Sequence, residues 1–416
     1  MLFDTGSQQL RPLPPSMKFV QRFRGPTDVA VTGSAESRRQ RPDTRLTRAG
    51  RLQSIVPNLR RSSLFVLFSA LWAFAALGCS KKEPPTAGEP TSVAAAPAEE
   101  KKGALTLQGA GASFPAPVYS RWFREFSDKN PDIRVNYQST GSGAGVKSFI
   151  EGQVDFGASD AAMTDEEIKQ VNGNVLLLPV TAGQIALIYN LEGVTELKLT
   201  RDAYAGIYLG EIKKWNDARV AKSNPGIKLP ATDVSVVRRS DGSGTTFVFT
   251  QHLAAISEKW KKGPGFGKSV EFPVGVGGRK NDGVAALVQQ TPGAIGYVEY
   301  SFAISSKQPM AALENKSGTF VPPTLQASAA ALEAVELPDD LRGWVTDPEG
   351  ENSYPIVSYT WILAKKKYED KSKAEALKKL LAWTLTEGQP LAQSLHYIPL
   401  PGKVSERVKK AAESIE

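Results

Sequence analysis

The sequence feature that most constrains the fold is a Gly/Ser/Thr turn that follows an apolar run and precedes a helical pattern. It lies in residues 236–247, where Arg238 and Arg239 come directly before Ser-Asp-Gly-Ser-Gly-Thr-Thr. This order aims free backbone N–H groups, hydroxyls and a guanidinium at one point, which suits a bound anion. Residues 109–115 and 140–145 follow a similar pattern. Three such turns in one chain predict a site for a small tetrahedral oxyanion.

The net charge of +8 is confined to the start of the chain. Of the 51 basic and 43 acidic side chains, 12 and 4 lie in residues 1–78, so the remainder is formally neutral. A basic excess across a whole domain would suggest nucleic-acid binding. Its restriction to the leader argues against nucleic acid as a partner.

The leader resembles a lipoprotein signal peptide over residues 56–78. Its apolar run is shorter than the about 20 residues of a membrane span and fits a signal-peptide core. Cys79, the only cysteine, follows as in a bacterial lipobox, although Ala76 and Leu77 depart from the usual residues. We therefore expect export, cleavage before Cys79 and a lipid anchor on its thiol. A buried, inert cysteine is the alternative.

Two further segments near the start are not expected to fold. Residues 1–55 are Arg-rich and without periodicity, which indicates an unstructured extension or a translation start placed too early. Residues 79–103 are mostly Lys, Glu, Pro, Ala and Thr and predict a solvated tether. A single cysteine forms no internal disulfide, so stability depends on the core.

Strand and helix patterns alternate from residue 104 onward, which predicts an α/β fold with mostly parallel sheets. The length is enough for two domains of about 100–200 residues each. The expected elements are strand 105–107, helix 115–126, strand 133–137, helix 146–150, strand 154–160, a capped helix from Thr164, strands 176–179 and 184–190, helix 282–290, strand 293–298, strand 355–363 and helix 377–384.

Common catalytic patterns are absent from the sequence. A valine separates the last glycine from the lysine in residues 141–148, which breaks the spacing of a P-loop. No serine turn has the spacing of a hydrolase nucleophile elbow. The two histidines, His252 and His396, offer few bases, and with one cysteine they cannot supply a zinc site. We expect no catalytic residue, no metal and no cofactor.

Asp160 follows a predicted strand and bears on which anion the site accepts. A carboxylate beside an anion is repulsive unless the anion carries a proton to donate. Phosphate carries such a proton at neutral pH and sulfate does not. Because a buried acceptor without a donor costs about 1–3 kcal/mol or more, one aspartate can discriminate between them. The alternative is that Asp160 only caps the turn at Ala161.

The other candidate residues also have structural alternatives. Each turn taken alone is an ordinary helix N-cap. Arg239 is either a surface residue or an anion ligand. In the second case, Asp241 two positions on would hold its guanidinium for bidentate contact.

Seven motifs, in order, resemble the periplasmic phosphate-binding protein family of the high-affinity phosphate ABC transporter. They are residues 109–117, 136–138, 154–160, 208–216, 237–245, 292–300 and 396–401. The resemblance covers about residues 104–410 and implies a two-lobed α/β fold of the periplasmic binding protein type (type II-like). Crossing strands at 184–190 and 355–363 would form a hinge beside the ligand cleft. The lobes would comprise residues 104–184 with 356–416, and residues 185–355.

The resemblance also implies a ligand shell. The implied phosphate ligands are Ser113, Phe114 through its backbone N–H, Ser142, Asp160, Arg239, Ser243, Gly244 and Thr245, with Asp241 steadying Arg239. The implied function is capture of inorganic phosphate outside the cytoplasmic membrane and delivery to the permease subunits of an ABC importer, without catalysis.

Three alternatives remain open from the sequence. One is a receptor for another oxyanion, namely sulfate, molybdate or tungstate. The second is a secreted phosphatase, which the shortage of bases and metal ligands disfavours. The third is a surface adhesion or sensing protein.

Overall fold

The structure, a computed structural model, describes residues 103–333 and 335–416. The predicted extension, signal peptide, Cys79 and nearly all of the tether lie outside the described residues. The strands are β1 Leu105–Gly111, β2 Ile133–Ser139, β3 Phe156–Ser159, β4 Leu176–Tyr189, β5 Lys198–Leu199, β6 Ser235–Arg239, β7 Val276–Gly278, β8 Ala294–Glu299, β9 Ala312–Glu314, β10 Phe320–Val321 and β11 Val357–Ala364.

Helices connect most of these strands, as the alternating pattern predicts. They are α1 Ala116–Lys129, α2 Ser142–Ile150, α3 Asp165–Gln170, α4 Arg201–Tyr208, α5 Ala218–Ser223, α6 Gly244–Ile256, α7 Glu258–Lys262, α8 Lys280–Gln290, α9 Tyr300–Ser305, α10 Leu325–Glu333, α11 Lys371–Leu385, α12 Gly388–Ser394 and α13 Gly402–Glu413. None of the helices in the described part of the chain has the length and apolar content needed to cross a bilayer.

Eight strands form one mixed sheet in the order β2-β1-β3-β11-β4-β8-β6-β7, and β10-β9-β5 form a small second sheet. Strand β4 belongs to two parts of the large sheet. Its residues 176–184 pair with β11, and its residues 185–189 pair with β8. We call β2, β1, β3, β11 and the first part of β4 the first half-sheet. The second half-sheet is the rest of β4 with β8, β6 and β7.

The prediction of separate strands at 176–179 and 184–190 was wrong, because β4 is continuous across both. The pairing of β4 with β11 shifts register between Thr360 and Trp361, and Val180 is the extra residue there. A bulge of this kind lets a strand continue past Pro179, which has no N–H to donate. One 14-residue strand therefore connects the two half-sheets.

Strand direction explains where the three turns lie. Strands β1, β2 and β3 are mutually parallel, and β6 is parallel to both β7 and β8. The antiparallel pairs of the large sheet all involve β4 or β11, so the sheet is more mixed than predicted. The turns follow the carboxyl ends of β1, β2 and β6, the edge where open α/β sheets bind ligands.

Two local predictions about helices are confirmed. Val118, Trp122 and Phe126 form the buried stripe of α1, and the Trp122 indole donates to the carbonyl of Gly388 over 2.6 Å. Helix α3 begins with a capping box at Thr164. The Glu167 N–H donates to the Thr164 side chain, and the Thr164 N–H donates to the Glu167 side chain. These contacts are local or follow one helical face, so the sequence pattern suffices to predict them.

Candidate functional site

The turns at residues 140–145 and 240–245 are in contact. The Gly143 N–H donates to the carbonyl of Gly242 over 2.9 Å. A Cβ added at Gly244 would lie 2.6 Å from the Asp160 carboxylate and 2.6 Å from Ser142 Oγ. Only glycine permits this approach, which brings residues of the two half-sheets to one point.

Asp160 is buried at this point, directly after β3. Its Oδ1 accepts a 2.8 Å hydrogen bond from Thr360 Oγ1 on β11, and its Oδ2 lies 3.3 Å from Ser142 Oγ. Burial raises the pKa of Asp160 to about 7, against the hydrogen bond from Thr360, the charge of Arg239 and the hydrogen bond from Ser142, which lower it. The carboxylate does not cap Ala161, whose N–H donates to Ser159 Oγ instead.

Arg239 is the last residue of β6 and is buried, with 4% of its surface exposed. Its Nε donates to Asp241 Oδ1 over 2.8 Å and its Nη2 to Oδ2 over 2.5 Å. The Lys280 N–H also donates to Asp241, over 2.9 Å. Although burial opposes the shift, these bonds and the arginine charge lower the pKa of Asp241. The guanidinium is thus held in a fixed orientation by two parallel bonds.

Helix α6 begins at this site with Ser243 as its N-cap. Ser243 Oγ accepts from the Thr246 N–H over 3.0 Å, which leaves the serine hydrogen for another acceptor. Gly244 and Thr245 are the first two helical residues, so their N–H groups are among those without an intrahelical partner. The helix dipole adds partial positive charge at the same place.

The turns at residues 109–115 and 140–145 supply serine hydroxyls that do not cap a helix. Helix α1 has Pro115 as N-cap and α2 has Gly141, and neither has a side-chain cap bond. Ser113 and Ser142 are both buried. Ser113 Oγ accepts from Asn281 Nδ2 over 3.1 Å. The N-cap alternative therefore applies to Ser243 and not to these two serines.

Phe114 is fully buried beside Ser113, and its carbonyl is held by a residue from the end of the chain. Tyr397 OH donates to the Phe114 carbonyl over 2.7 Å. This contact holds the peptide group between Phe114 and Pro115, at the start of α1. Seven of the eight predicted site residues thus lie on the three turns, and the eighth is Asp160. The contact between the turns at residues 140–145 and 240–245 brings residues of the two half-sheets together.

Sequence reasoning missed three residues that hold this arrangement: Thr360, Asn281 and Tyr397. Thr360 is a polar residue within the apolar strand β11, and that contrast was a usable signal. Asn281 stands at the start of α8 and had no motif to mark it. Tyr397 lies in a motif that supports the resemblance, but its partner Phe114 is 283 residues away.

Among residues 103–333 and 335–416, no group of three or more His, Cys, Asp or Glu side chains is arranged to hold a metal ion. His252 is buried in α6, with its Nε2 2.7 Å from Tyr204 OH. Burial lowers its pKa to about 3. The arrangement offers hydrogen-bond donors, one guanidinium and one buried carboxylate.

A second buried carboxylate, Glu299, lies at the end of β8 where that strand pairs with β4. It accepts from the Ser301 N–H over 3.0 Å and lies 3.1 Å from Tyr397 OH. Burial raises the pKa of Glu299 to about 8, against the hydrogen bonds from Ser301 and Tyr397. Folding therefore favours the protonated, neutral form of the Glu299 side chain.

Comparison with known proteins identifies the family. The model of the PBP superfamily domain matches residues 95–387. A phosphate-binding protein PstS from Pasteurella multocida is 41% identical over 310 residues, which are 74% of this chain and 89% of that protein. A phosphate-binding protein PstS from Xylella fastidiosa is 37% identical over 317 residues, 75% of this chain and 86% of that protein. The chain belongs to the PstS family of phosphate-binding proteins.

Solved structures agree with PstS membership at the level of the fold. The structure of PfluDING, a high-affinity periplasmic phosphate-binding protein bound with phosphate, matches with a TM-score of 0.61 at 18% identity, over 74% of this chain and 93% of that one. A phosphate-binding protein from Stenotrophomonas maltophilia matches with a TM-score of 0.59, also at 18% identity, over 74% of this chain and 94% of that one. The predicted two-lobed α/β fold of the periplasmic binding proteins is confirmed.

The pKa of Glu299 predicts a pH dependence of stability. Since the pKa rises from 4.5 to about 8 on folding, the group's contribution is complete below about 4.5 and is lost as pH rises to about 8. In Glu299→Gln the side chain cannot ionise. As the pH rises from about 5 to about 8, the free energy of unfolding of wild type should therefore fall. We expect the fall to exceed that of the variant by on the order of a few kcal/mol.

Urea unfolding in phosphate-free buffers across this pH range measures the effect. Glu406→Gln, at an exposed position on α13, is the control and should leave the pH profile unchanged. A constant difference between wild type and Glu299→Gln at all pH values would contradict the prediction.

Proposed function

We propose that this protein binds inorganic phosphate with high affinity outside the cytoplasmic membrane and delivers it to an ABC phosphate importer. One observation carries the proposal: a buried carboxylate, Asp160, lies among hydroxyls, the Arg239 guanidinium and the N-terminus of α6. Donors alone would suit any oxyanion. The added acceptor suits an anion that carries its own proton.

The proposed ligand shell is the set that the family resemblance implies. The proposed phosphate donors are the hydroxyls of Ser113, Ser142, Ser243 and Thr245, the N–H groups of Phe114 and Gly244, and the guanidinium of Arg239. Ser142 would turn its single hydrogen from Asp160 to the phosphate. Asp160 would accept the phosphate proton, and Asp241 would hold Arg239. The support is their burial and mutual contact. Charge-assisted bonds of this kind are about twice as strong as neutral ones.

Phosphate is proposed to bind between two lobes and to hold them together. Residues 104–184 with 356–416 would form one lobe and residues 185–355 the other, with the change of β4 partner at Gln184/Ile185 as the hinge. Capture would bring the two half-sheets together around the anion, and opening would release it to the permease subunits. No bond is made or broken in the ligand, so the protein is proposed to be a receptor and not an enzyme.

The rival functions meet specific obstacles at the site. A sulfate, molybdate or tungstate receptor would leave Asp160 facing an anion with no proton to donate. A phosphatase needs a base or metal beside the anion, and His252 is instead engaged with Tyr204.

Ligand-dependent unfolding tests phosphate binding and its selectivity. In purified protein freed of residual anion, phosphate at about 1,000 times its dissociation constant should add about 4 kcal/mol to the free energy of unfolding. Sulfate and molybdate should add little. In Asp160→Asn the response to phosphate should weaken and a response to sulfate should appear, because an amide can donate to an unprotonated oxyanion.

The control for charge removal is Asp128→Asn, at an exposed position on α1. It should respond like wild type. Absence of any phosphate response in wild type would contradict the proposed function. If another oxyanion stabilises the protein and phosphate does not, that oxyanion is the ligand in place of phosphate. Release of phosphate from a chromogenic ester would favour the phosphatase.

Gly244 is expected to control affinity without controlling folding. In Gly244→Ala the new Cβ would lie 2.6 Å from Asp160 and Ser142, so the two turns must move apart. Phosphate affinity measured by calorimetry should fall at least about tenfold, which is 1.4 kcal/mol. The free energy of unfolding without phosphate should change less than the phosphate affinity, because the two turns can separate when no anion holds them together.

Gly402→Ala is the matched control, since Gly402 is also the first residue of a helix and nothing lies within 4 Å of an added Cβ. It should keep wild-type affinity. Unchanged affinity in Gly244→Ala would show that the close approach at residue 244 is not needed for binding.

Lipid attachment at Cys79 is the last part of the proposal, and membrane fractionation tests it. Expressed with its leader, the protein should be exported and sediment with membranes. In Cys79→Ala the thiol that would receive lipid is gone, so the protein should be unprocessed or released. Equal distribution of both proteins in the soluble exported fraction would contradict the anchor.

A further inference from the structure

Asn281 connects the two half-sheets at the anion site. It is the second residue of α8 and its side chain is fully buried. Its Nδ2 donates to Ser113 Oγ over 3.1 Å and to Thr245 Oγ1 over 3.4 Å. Ser113 follows β1 of the first half-sheet, and Thr245 follows β6 of the second. A single amide group therefore bonds one proposed phosphate ligand from each side.

The orientation of this amide is determined by the backbone. The Glu299 N–H donates to Asn281 Oδ1 over 3.0 Å. An N–H group can only donate, so the atom that faces it must be the amide oxygen. The amide nitrogen therefore faces the two hydroxyls, and it too can only donate. Ser113 Oγ and Thr245 Oγ1 must both act as acceptors toward Asn281.

Counting donors then locates the hydroxyl hydrogens. Thr245 Oγ1 also lies 3.4 Å from Arg239 Nη1, so two donors occupy both of its lone pairs. Its own hydrogen cannot point at either donor. The Ser113 hydrogen is likewise turned away from Asn281. Both hydrogens remain available for a bound anion, and rotation of the hydroxyls to other directions is disfavoured.

We propose that Asn281 is a positioning residue that directs the hydroxyl hydrogens of Ser113 and Thr245 toward bound phosphate. The proposal rests on the proposed function. Asn281 acts through the two hydroxyls, without needing to contact the ligand itself. Because its partners come from both half-sheets, the contact with Ser113 forms only when the half-sheets are close. Orientation of the donors and closure of the site are thereby coupled.

The proposal distinguishes Asn281→Ala from Asn281→Asp. Alanine removes the orienting donor, and the hydroxyls become free to rotate. Aspartate keeps the shape but accepts hydrogen bonds, so it would draw the two hydrogens away from the anion and add a negative charge. Phosphate affinity should fall at least about tenfold in Asn281→Ala and further in Asn281→Asp.

A double-mutant cycle measured by calorimetry separates positioning from a general structural role. Asn281→Ala is combined with Ser113→Ala and, separately, with Thr245→Val. If Asn281 acts through these hydroxyls, its removal should weaken phosphate binding by only about threefold or less in each background. A merely structural asparagine would give the same loss in every background, and that result would overturn the proposal.

Controls keep the outcomes distinguishable. Asn224 is another buried asparagine whose amide bonds Lys198 and Val220, so Asn224→Ala should lose stability and keep phosphate affinity. Unfolding without phosphate identifies variants that fail to fold. If wild type does not bind phosphate, the proposed function fails. If wild type binds and Asn281→Ala binds equally well, only the role of Asn281 fails.

Discussion

Burial of the Asp160 carboxylate between the two half-sheets is the constraint on which the rest of the site depends. An ionised carboxylate removed from water is costly unless it is paired and hydrogen-bonded. Thr360, Ser142 and the charge of Arg239 supply part of that compensation. A carboxylate has about four lone-pair positions, so Asp160 can still accept a hydrogen bond from a further donor. This makes the site a selective receptor in our proposal, because the ligand that completes the hydrogen bonding must bring a donor of its own.

The sheet topology makes this burial possible. Parallel strands in each half-sheet end at one edge, so each half-sheet collects its turns and helix N-termini there. Strand β4 runs through both halves and sets them side by side, and glycine at position 244 allows the turns to touch. Ser142 and the start of α6 therefore lie directly against the Asp160 carboxylate. Small changes at the contact are therefore expected to affect the ligand more than the fold.

Polar contacts around the anion site form a directed chain. The Glu299 N–H orients Asn281, Asn281 donates to Ser113 and Thr245, and Asp241 holds Arg239. Each member has its donor and acceptor roles determined by its neighbour, which rigidifies a buried network. Preorganised donors lower the cost of binding, because side chains need not be ordered when the ligand arrives.

Much of this protein could be predicted from the sequence because the relevant interactions are local. Turns with glycine and hydroxyl residues precede helices, Asp160 follows a strand, Thr164 begins a capping box, and Asp241 lies two residues from Arg239. The resemblance of seven motifs then implied the family. The tertiary structure alone decided that β4 is one strand, that Thr360 reaches Asp160 across 200 residues, and that Asn281 joins Ser113 to Thr245. Such contacts depend on strand register and on how the half-sheets meet, and neither leaves a periodic pattern in the chain.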